Sequence, residues 1–195
     1  MNWKLFIFVS LVVYGAYQHF SHLAIRHGAG EIATQQPIQT STSVNPFQLD
    51  NFTIIPLADY TIEARLLSVK HYRFDMGATL SPTDLAVGWG PMSDEAVLSK
   101  MQISQSGRFF LWHMDNIPIP QREIEIHAAN MHIIPANDTV KSQLKKVKVG
   151  QVITIKGQLV EAKTAKGWVW RSSLSREDSG NGACELMYGT ELSAK

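Results

Sequence analysis

Apolar residues are concentrated in one nearly uninterrupted run at the start of the chain. Residues 5–17 read LFIFVSLVVYGAY, and only Lys4 precedes them as a charged side chain. This layout is typical of a signal sequence or signal anchor, and we predict retention because no clear small-x-small cleavage site follows directly. From Trp3 to Ile25 the segment is long enough to cross a hydrocarbon core of about 30 Å as a helix. We therefore predict a transmembrane helix over residues 1–26.

The next stretch lacks both helical and alternating periodicity. Residues 27–48 are rich in Gln, Thr, Ser, Gly and Pro. Such composition is typical of flexible linkers. We predict a flexible linker over 27–48, followed by one globular domain over 49–195, a length that suits a single hydrophobic core.

Alternating and cap patterns predict a domain in which strands dominate. Strands are predicted at Phe52–Leu57, at Thr61–Phe74 with a bulge where Leu66 and Leu67 are adjacent, and at 123–134, where Glu123, Glu125 and His127 share one face. Cap residues predict short helices that begin after Ser81, Ser93 and Asn137. The fold class is therefore α+β, a strand-dominated single domain with two or three short helices.

One strand pattern indicates that part of the sheet curves like a barrel. Val147–Val160 resembles a strand of small five-stranded oligonucleotide-binding-type barrels, in which a glycine in mid-strand lets the strand coil. The resemblance concerns shape and implies no ligand.

Charge is balanced, which argues against nucleic acid as the main partner. Residues 49–195 hold 16 of the 18 basic and 16 of the 17 acidic side chains. Within 141–166, however, seven lysines face a single acid, Glu161. A helix end and solvent-facing strand positions account for most of these lysines. Binding of anionic lipid or nucleic acid is the alternative, so a nucleic-acid-binding module stays open as a further hypothesis.

Two residue groups are candidates for catalysis or metal binding. Cys184, the single cysteine, is a candidate nucleophile if a histidine such as His127 activates it, and a small buried cysteine is the alternative. His127, His132 and Glu125 are candidate metal ligands, although a continuous strand would turn the two histidines to opposite faces. Phosphate-loop, dinucleotide-binding and zinc-protease motifs are absent from the sequence. We expect no cofactor, and binding rather than catalysis.

Five residues are candidates for ligand binding. Trp89 lies between two glycines and is predicted to be exposed on a tight loop, and Arg171 and Arg176 are predicted to lie near a strand end. His127 and His132 complete the set. Trp168 and Trp170 are two residues apart, so they share a strand face that fills the core or forms an aromatic surface.

Three motifs carry a resemblance to other proteins. GWGPMSD, HAANMHIIPA and WVWRSSLSREDSGNGAC are similar to motifs of uncharacterised bacterial membrane-anchored proteins, which share an N-terminal membrane segment and a linker containing Gln and Pro. The resemblance implies a location in the bacterial envelope and implies no activity. The signal-like order of the N-terminus predicts a single pass through the inner membrane, with the C-terminal domain in the periplasm. We expect an envelope binding or assembly factor with a protein partner. A tethered hydrolase that uses Cys184 or a histidine–carboxylate metal site is the alternative.

Overall fold

The computed structural model describes residues 3–21, 24–116, 118–175, 177–178 and 182–195. Its strands are β1 Ile38–Thr40, β2 Phe47–Leu49, β3 Phe52–His71, β4 Thr83–Gly88, β5 Gln102–Ser106, β6 Phe109–His113, β7 Ala128–Pro135, β8 Val152–Thr164, β9 Val169–Arg171 and β10 Glu185–Ala194. Its helices are α1 Trp3–Ser21, α2 Met76–Leu80, α3 Glu95–Leu98, α4 Gln121–Ile126 and α5 Asp138–Leu144, with a 3-10 turn at Gly90–Ser93.

Five strands close into a ring. The order is β3-β4-β7-β10-β8, and the long β3 pairs with β4 through its second half and with β8 over most of its length, which returns the sheet to its start. All neighbours are antiparallel except β7 and β10. The α+β, strand-dominated single domain and its curved sheet are confirmed. Described residues of the domain hold four short α-helices and the 3-10 turn, more than the predicted two or three.

The ring encloses the main hydrophobic core. Side chains from all five strands and from α5 meet there, among them Leu66, Met131 and Ile155. Gly157 lies in the middle of β8, where a Cβ would come 2.0 Å from the Tyr188 carbonyl oxygen of β10. A glycine is needed for that close approach, as the barrel-type strand pattern predicted.

Two predictions that rest on a short sequence pattern are confirmed. The register of β3 against β4 shifts between Leu66 and Ser68, at the predicted bulge. The Asn137 side chain accepts a hydrogen bond from Val140 N at 2.9 Å and caps α5. Asp94 caps α3 in the same way, although α3 ends at Leu98.

Two predictions are wrong. The predicted helix after Ser81 is β4, which is buried throughout because it pairs with β3 on one side and β7 on the other. The predicted strand over 123–134 begins only at Ala128, and α4 precedes it. Pro120 suits a helix start, and Gln121 and Glu125 are joined one helical turn apart by a hydrogen bond of 2.9 Å.

The segment predicted as a flexible linker lies along the domain. β1 and β2 both pair with β3, and Ala33 is fully buried. Ile25, at the end of the predicted transmembrane segment, is attached as well, since its N–H donates a 2.8 Å hydrogen bond to the Val149 carbonyl. Many of the segment's contacts use backbone amides and carbonyls, which composition does not reveal, so a stretch without periodicity is nevertheless attached to the sheet.

Helix α1 exposes its apolar side chains. From Trp3 to Tyr14 every large apolar side chain is exposed, on all sides of the helix. Within the described residues, no helix combines the length and the hydropathy that a membrane span requires.

Candidate functional site

A cleft of about 430 Å³ lies on the outer side of the ring. We call it the tryptophan cleft. Its floor is His132 of β7, and its walls come from the loop after β3, the tip of the β5–β6 hairpin, and the chain between β8 and β10. The lining residues are Asp75, Gly77, Gly107, Arg108, Phe109, His132, Trp168, Val169, Trp170, Arg171, Gly182 and Cys184. The cleft therefore joins segments that are distant in sequence, at a volume ordinary for ligand sites.

Arg108 connects the hairpin to the barrel. It occupies a tight turn with φ of 72°, directly after Gly107. Its guanidinium donates to Asp84 Oδ1 at 2.7 Å and to Asp75 Oδ1 at 2.8 Å. It also lies over the Tyr72 ring, 3.9 Å from the centroid. Two carboxylates and an aromatic face thus fix the guanidinium at the wall of the cleft.

His132 is buried on the floor, next to the fully buried Asp84. Its Nδ1 lies 2.9 Å from Asp84 Oδ1, but the two atoms are not aligned for a hydrogen bond. The imidazole packs against the Trp170 ring at a centroid distance of 4.7 Å. No described residue hydrogen-bonds to Nε2 of His132, which lines the cleft. That nitrogen is available to a ligand.

Two tryptophans form the aromatic wall. The Trp168 and Trp170 rings are 6.0 Å apart and nearly perpendicular, at 79°. A Cβ on Gly77 would come 2.9 Å from Trp170 Cζ3, so the absence of a side chain in α2 lets this ring lie against the helix. Both tryptophans are half-buried, which leaves part of each ring facing the cleft. Both side chains also pack against the hydrophobic cluster that contains Phe52 and Leu80, so they fill the core and form an aromatic surface at the same time.

Cys184 lies in the same cleft, in surroundings that oppose a nucleophilic role. Asn130 Nδ2 lies 3.9 Å from its sulfur, and the thiol donates to the Arg108 carbonyl at 3.8 Å. Burial, together with the negative charge of Glu185, raises the pKa of the thiol to about 11. The thiolate is the reactive form, so this environment disfavours the predicted nucleophile.

Trp89 and His127 lie outside this cleft. Residues 24–36 pack against the domain and cover both side chains, and we call this contact the N-terminal seam. Trp89 is 1% exposed, so the predicted exposed indole is wrong. Its Nε1 donates to Gln36 Oε1 at 2.8 Å, and Gln36 Nε2 lies 3.0 Å from His127 Nε2. His127 Nδ1 lies 2.9 Å from the Glu123 carbonyl oxygen. Both ring nitrogens of His127 therefore have partners within the chain.

An ion cluster holds the same seam. The Glu95 carboxylate pairs with the buried Arg65 and, at 2.9 Å, with Arg26 of the N-terminal segment. The hydrogen bond from Arg65 lowers the pKa of Glu95 to about 2, since this bond and the one from Arg26 outweigh burial, which acts in the opposite direction. Glu95 is therefore a charged attachment point for the seam.

The predicted metal ligands do not converge. Within the described ranges there is no group of three or more histidine, cysteine or acidic side chains able to hold a metal ion. His127 lies in the seam and His132 in the cleft, and Glu125 is engaged by Gln121 and Arg122 on α4. The metal-site hypothesis therefore lacks support in this geometry.

Only one of the two arginines predicted to bind ligand lies within the described residues. Arg171 lines the cleft, where its guanidinium donates to Glu161 Oε2 at 2.6 Å. Arg176 lies outside the described residues. Of the predicted ligand-binding residues, His132 and Arg171 thus meet in one cleft, together with Cys184.

Sequence reasoning missed the charged residues of the cleft. Asp84 is a single acid inside the buried, otherwise apolar run of β4, a pattern that calls for a buried partner. Arg108 follows a glycine between two strand patterns, where a hairpin tip exposes its residues. Both residues could therefore have been singled out from the sequence. The pairing of the two residues depends on how the hairpin folds back across β4 and β7, which no local pattern encodes.

Comparisons with protein-family models, with curated proteins and with solved structures gave no match to this chain.

Proposed function

We propose that the protein is a membrane-attached binding module whose ligand enters the tryptophan cleft. One observation carries the proposal: aromatic rings, paired charges and a buried imidazole from four separate segments converge on one open cleft. Convergence of aromatic surface with a few oriented polar groups is the usual composition of a ligand site. The raised pKa of the Cys184 thiol argues against a cysteine nucleophile, and the separation of His127 from His132 argues against the metal site, so binding is favoured over hydrolysis.

The strand connectivity supports this interpretation. Five strands close in the order first, second, third, fifth, fourth, with α5 between the third and fourth. This is the arrangement of oligonucleotide/oligosaccharide-binding barrels, which bind along the second and third strands and the loops beside them. The tryptophan cleft lies over β7, the third strand of the ring, and Arg108 in its wall pairs with Asp84 of β4, the second strand. Fold alone does not establish function, so the cleft chemistry is the main support.

Helix α1 supplies the proposed membrane attachment. A helix whose apolar side chains from Trp3 to Tyr14 are exposed on all sides needs an apolar environment. This proposal places the protein in the bacterial envelope, with its cleft available to a partner molecule outside the bilayer.

Liposome flotation of the full chain tests the attachment. Val12→Asp puts a charge on α1 and is expected to move most of the protein out of the floating fraction, because a charged side chain in hydrocarbon is costly. Val44→Asp is the matched control, since Val44 is similarly exposed but lies outside α1. Equal flotation of the two variants would contradict attachment through α1.

The cleft is tested by calorimetric titration of the full chain with three probes: a sugar hexamer, a twelve-nucleotide thymidine strand and an uncharged decapeptide. We expect one class to bind, Trp170→Ala to remove that binding, and Trp112→Ala to leave it intact. Trp112 is also half-buried but lines a neighbouring groove. If no class shows affinity that depends on Trp170, the binding-module proposal is wrong.

A further inference from the structure

The charges of the tryptophan cleft are compensated within the protein. Arg108 is held by Asp75 and Asp84, and Arg171 by Glu161. Among the described residues, three carboxylates therefore pair with two guanidinium groups at the cleft. Among the described residues that line the cleft, none is a lysine.

This balance is unsuited to a phosphate polymer. Proteins that bind single strands use a groove with net positive charge, and they gain affinity by releasing counterions from the phosphates. Here each guanidinium would have to leave a carboxylate at 2.6–2.8 Å before it could pair with a phosphate. The carboxylate left behind would repel the same phosphate. None of the lysines of 141–166 is among the described residues that line the cleft, and Lys156 pairs with Glu191.

The uncharged surface of the cleft is aromatic and open. Trp168 and Trp170 stand nearly perpendicular, so together they present a corner rather than a flat wall. Phe109 is 41% exposed and Val169 56% exposed at the rim. Such surfaces suit rings that carry apolar C–H faces and polar edges.

The polar groups of the cleft offer both donors and acceptors. Nε2 of His132 is free of described partners, the Asp75 carboxylate is about half exposed, and the Arg171 side chain is also about half exposed. A hydroxyl both donates and accepts, so it satisfies either type of group without changing the charge of the site. A chain of hydroxylated rings therefore fits the cleft better than a polyanion does.

We infer that the tryptophan cleft binds an uncharged oligosaccharide, whose rings stack on Trp168 and Trp170 while its hydroxyls reach His132 and Asp75. This inference rests on the proposed binding function and specifies its ligand class.

Calorimetric titration of the full chain tests it, in a detergent without a sugar headgroup such as a dimethylamine oxide. The probes are chitohexaose and maltohexaose, with a twelve-nucleotide thymidine strand as the charged comparison. We expect one of the sugars to bind with little change between 50 and 500 mM salt, and Trp170→Ala to weaken that binding by about tenfold or more. Trp112→Ala should change it by less than about twofold.

A second variant separates loss of binding from loss of folding. Phe109→Ala removes an exposed rim side chain, so it should leave the unfolding curve unchanged while it weakens sugar binding several-fold. The inference is overturned if neither sugar binds, or if sugar binding is the same in Trp170→Ala as in the wild type. Salt-sensitive binding of the thymidine strand that depends on Trp170 would overturn the sugar inference alone and keep the binding module. Absence of any affinity that depends on Trp170 would overturn both.

Discussion

Two pairs of tryptophan and histidine among the described residues differ in what covers them. Trp89 and His127 have ring centroids 6.2 Å apart, and Trp170 and His132 have centroids 4.7 Å apart. In the first pair, Gln36 accepts from the indole Nε1 and contacts the imidazole Nε2, so the chain provides the partners of both rings. In the second pair, no described residue bonds to the imidazole Nε2, and the indole faces a cleft.

The comparison shows that residue type alone does not distinguish a structural contact from a ligand site. Both pairs combine an indole, an imidazole and a nearby carboxylate, from Glu123 in one case and Asp84 in the other. The seam is closed by residues 24–36 of the same chain. The cleft is left open, and we interpret that opening as the place of a ligand.

The largest expected difference between the two regions is in stability. Trp89→Ala removes a fully buried indole and should lower the free energy of unfolding by about 3–5 kcal/mol. Trp170→Ala should cost less than half as much, because that ring is already partly exposed. Urea unfolding of the two variants, monitored by circular dichroism, measures both values. Equal losses would mean that the cleft is as structural as the seam.

Acid should weaken the seam. Because the pKa of Glu95 is lowered to about 2 in the folded protein, from 4.5, the paired carboxylate stabilises the fold fully above about pH 4.5. That contribution decreases as the pH falls from about 4.5 towards 2. Glu95→Gln should therefore be less stable than the wild type at pH 7, and the difference should shrink between pH 4.5 and 2. Urea midpoints at several pH values check this, and a difference that is constant over that range would contradict the role of Glu95.

A smaller effect is expected from the residue that closes the seam. Gln36→Ala leaves the Trp89 indole nitrogen without its partner, which should cost about 1–3 kcal/mol. Amide exchange should become faster around Ala33 and at Gly90, whose N–H donates to the Ala33 carbonyl. Gln39→Ala is a suitable control, because the Gln39 side chain bonds to the Leu174 carbonyl, away from the seam. Unchanged exchange in Gln36→Ala would show that Gln36 does not hold the segment.

Sequence patterns predicted those parts of the fold that depend on local chemistry. The bulge at Leu66, the cap at Asn137 and the coiled strand at Gly157 each follow from a short run of residues. The helix predicted after Ser81 failed because pairing on both sides of β4 outweighs a cap signal worth about 1 kcal/mol. Strand pairing is long-range, so no window of sequence around Ser81 contains it.

The candidate site was only partly predictable for the same reason. His132 and Arg171 were singled out by type, and they do share the cleft. Trp89 was assigned to an exposed loop because flanking glycines indicate a turn. The residue that buries it, Gln36, lies in a segment whose composition suggested a linker. The partners of Arg108 could not be predicted from the sequence, because they depend on where the β5–β6 hairpin packs on the domain.

Amide hydrogen exchange of the full chain with and without saturating chitohexaose or maltohexaose, whichever binds, tests the central claim most directly. Our account predicts slower exchange at the cleft, around Gly107–Phe109 and Val169–Arg171, and unchanged exchange at the seam around Trp89 and Ala33. Protection confined to the seam, or none at the cleft with sugar bound, would contradict it.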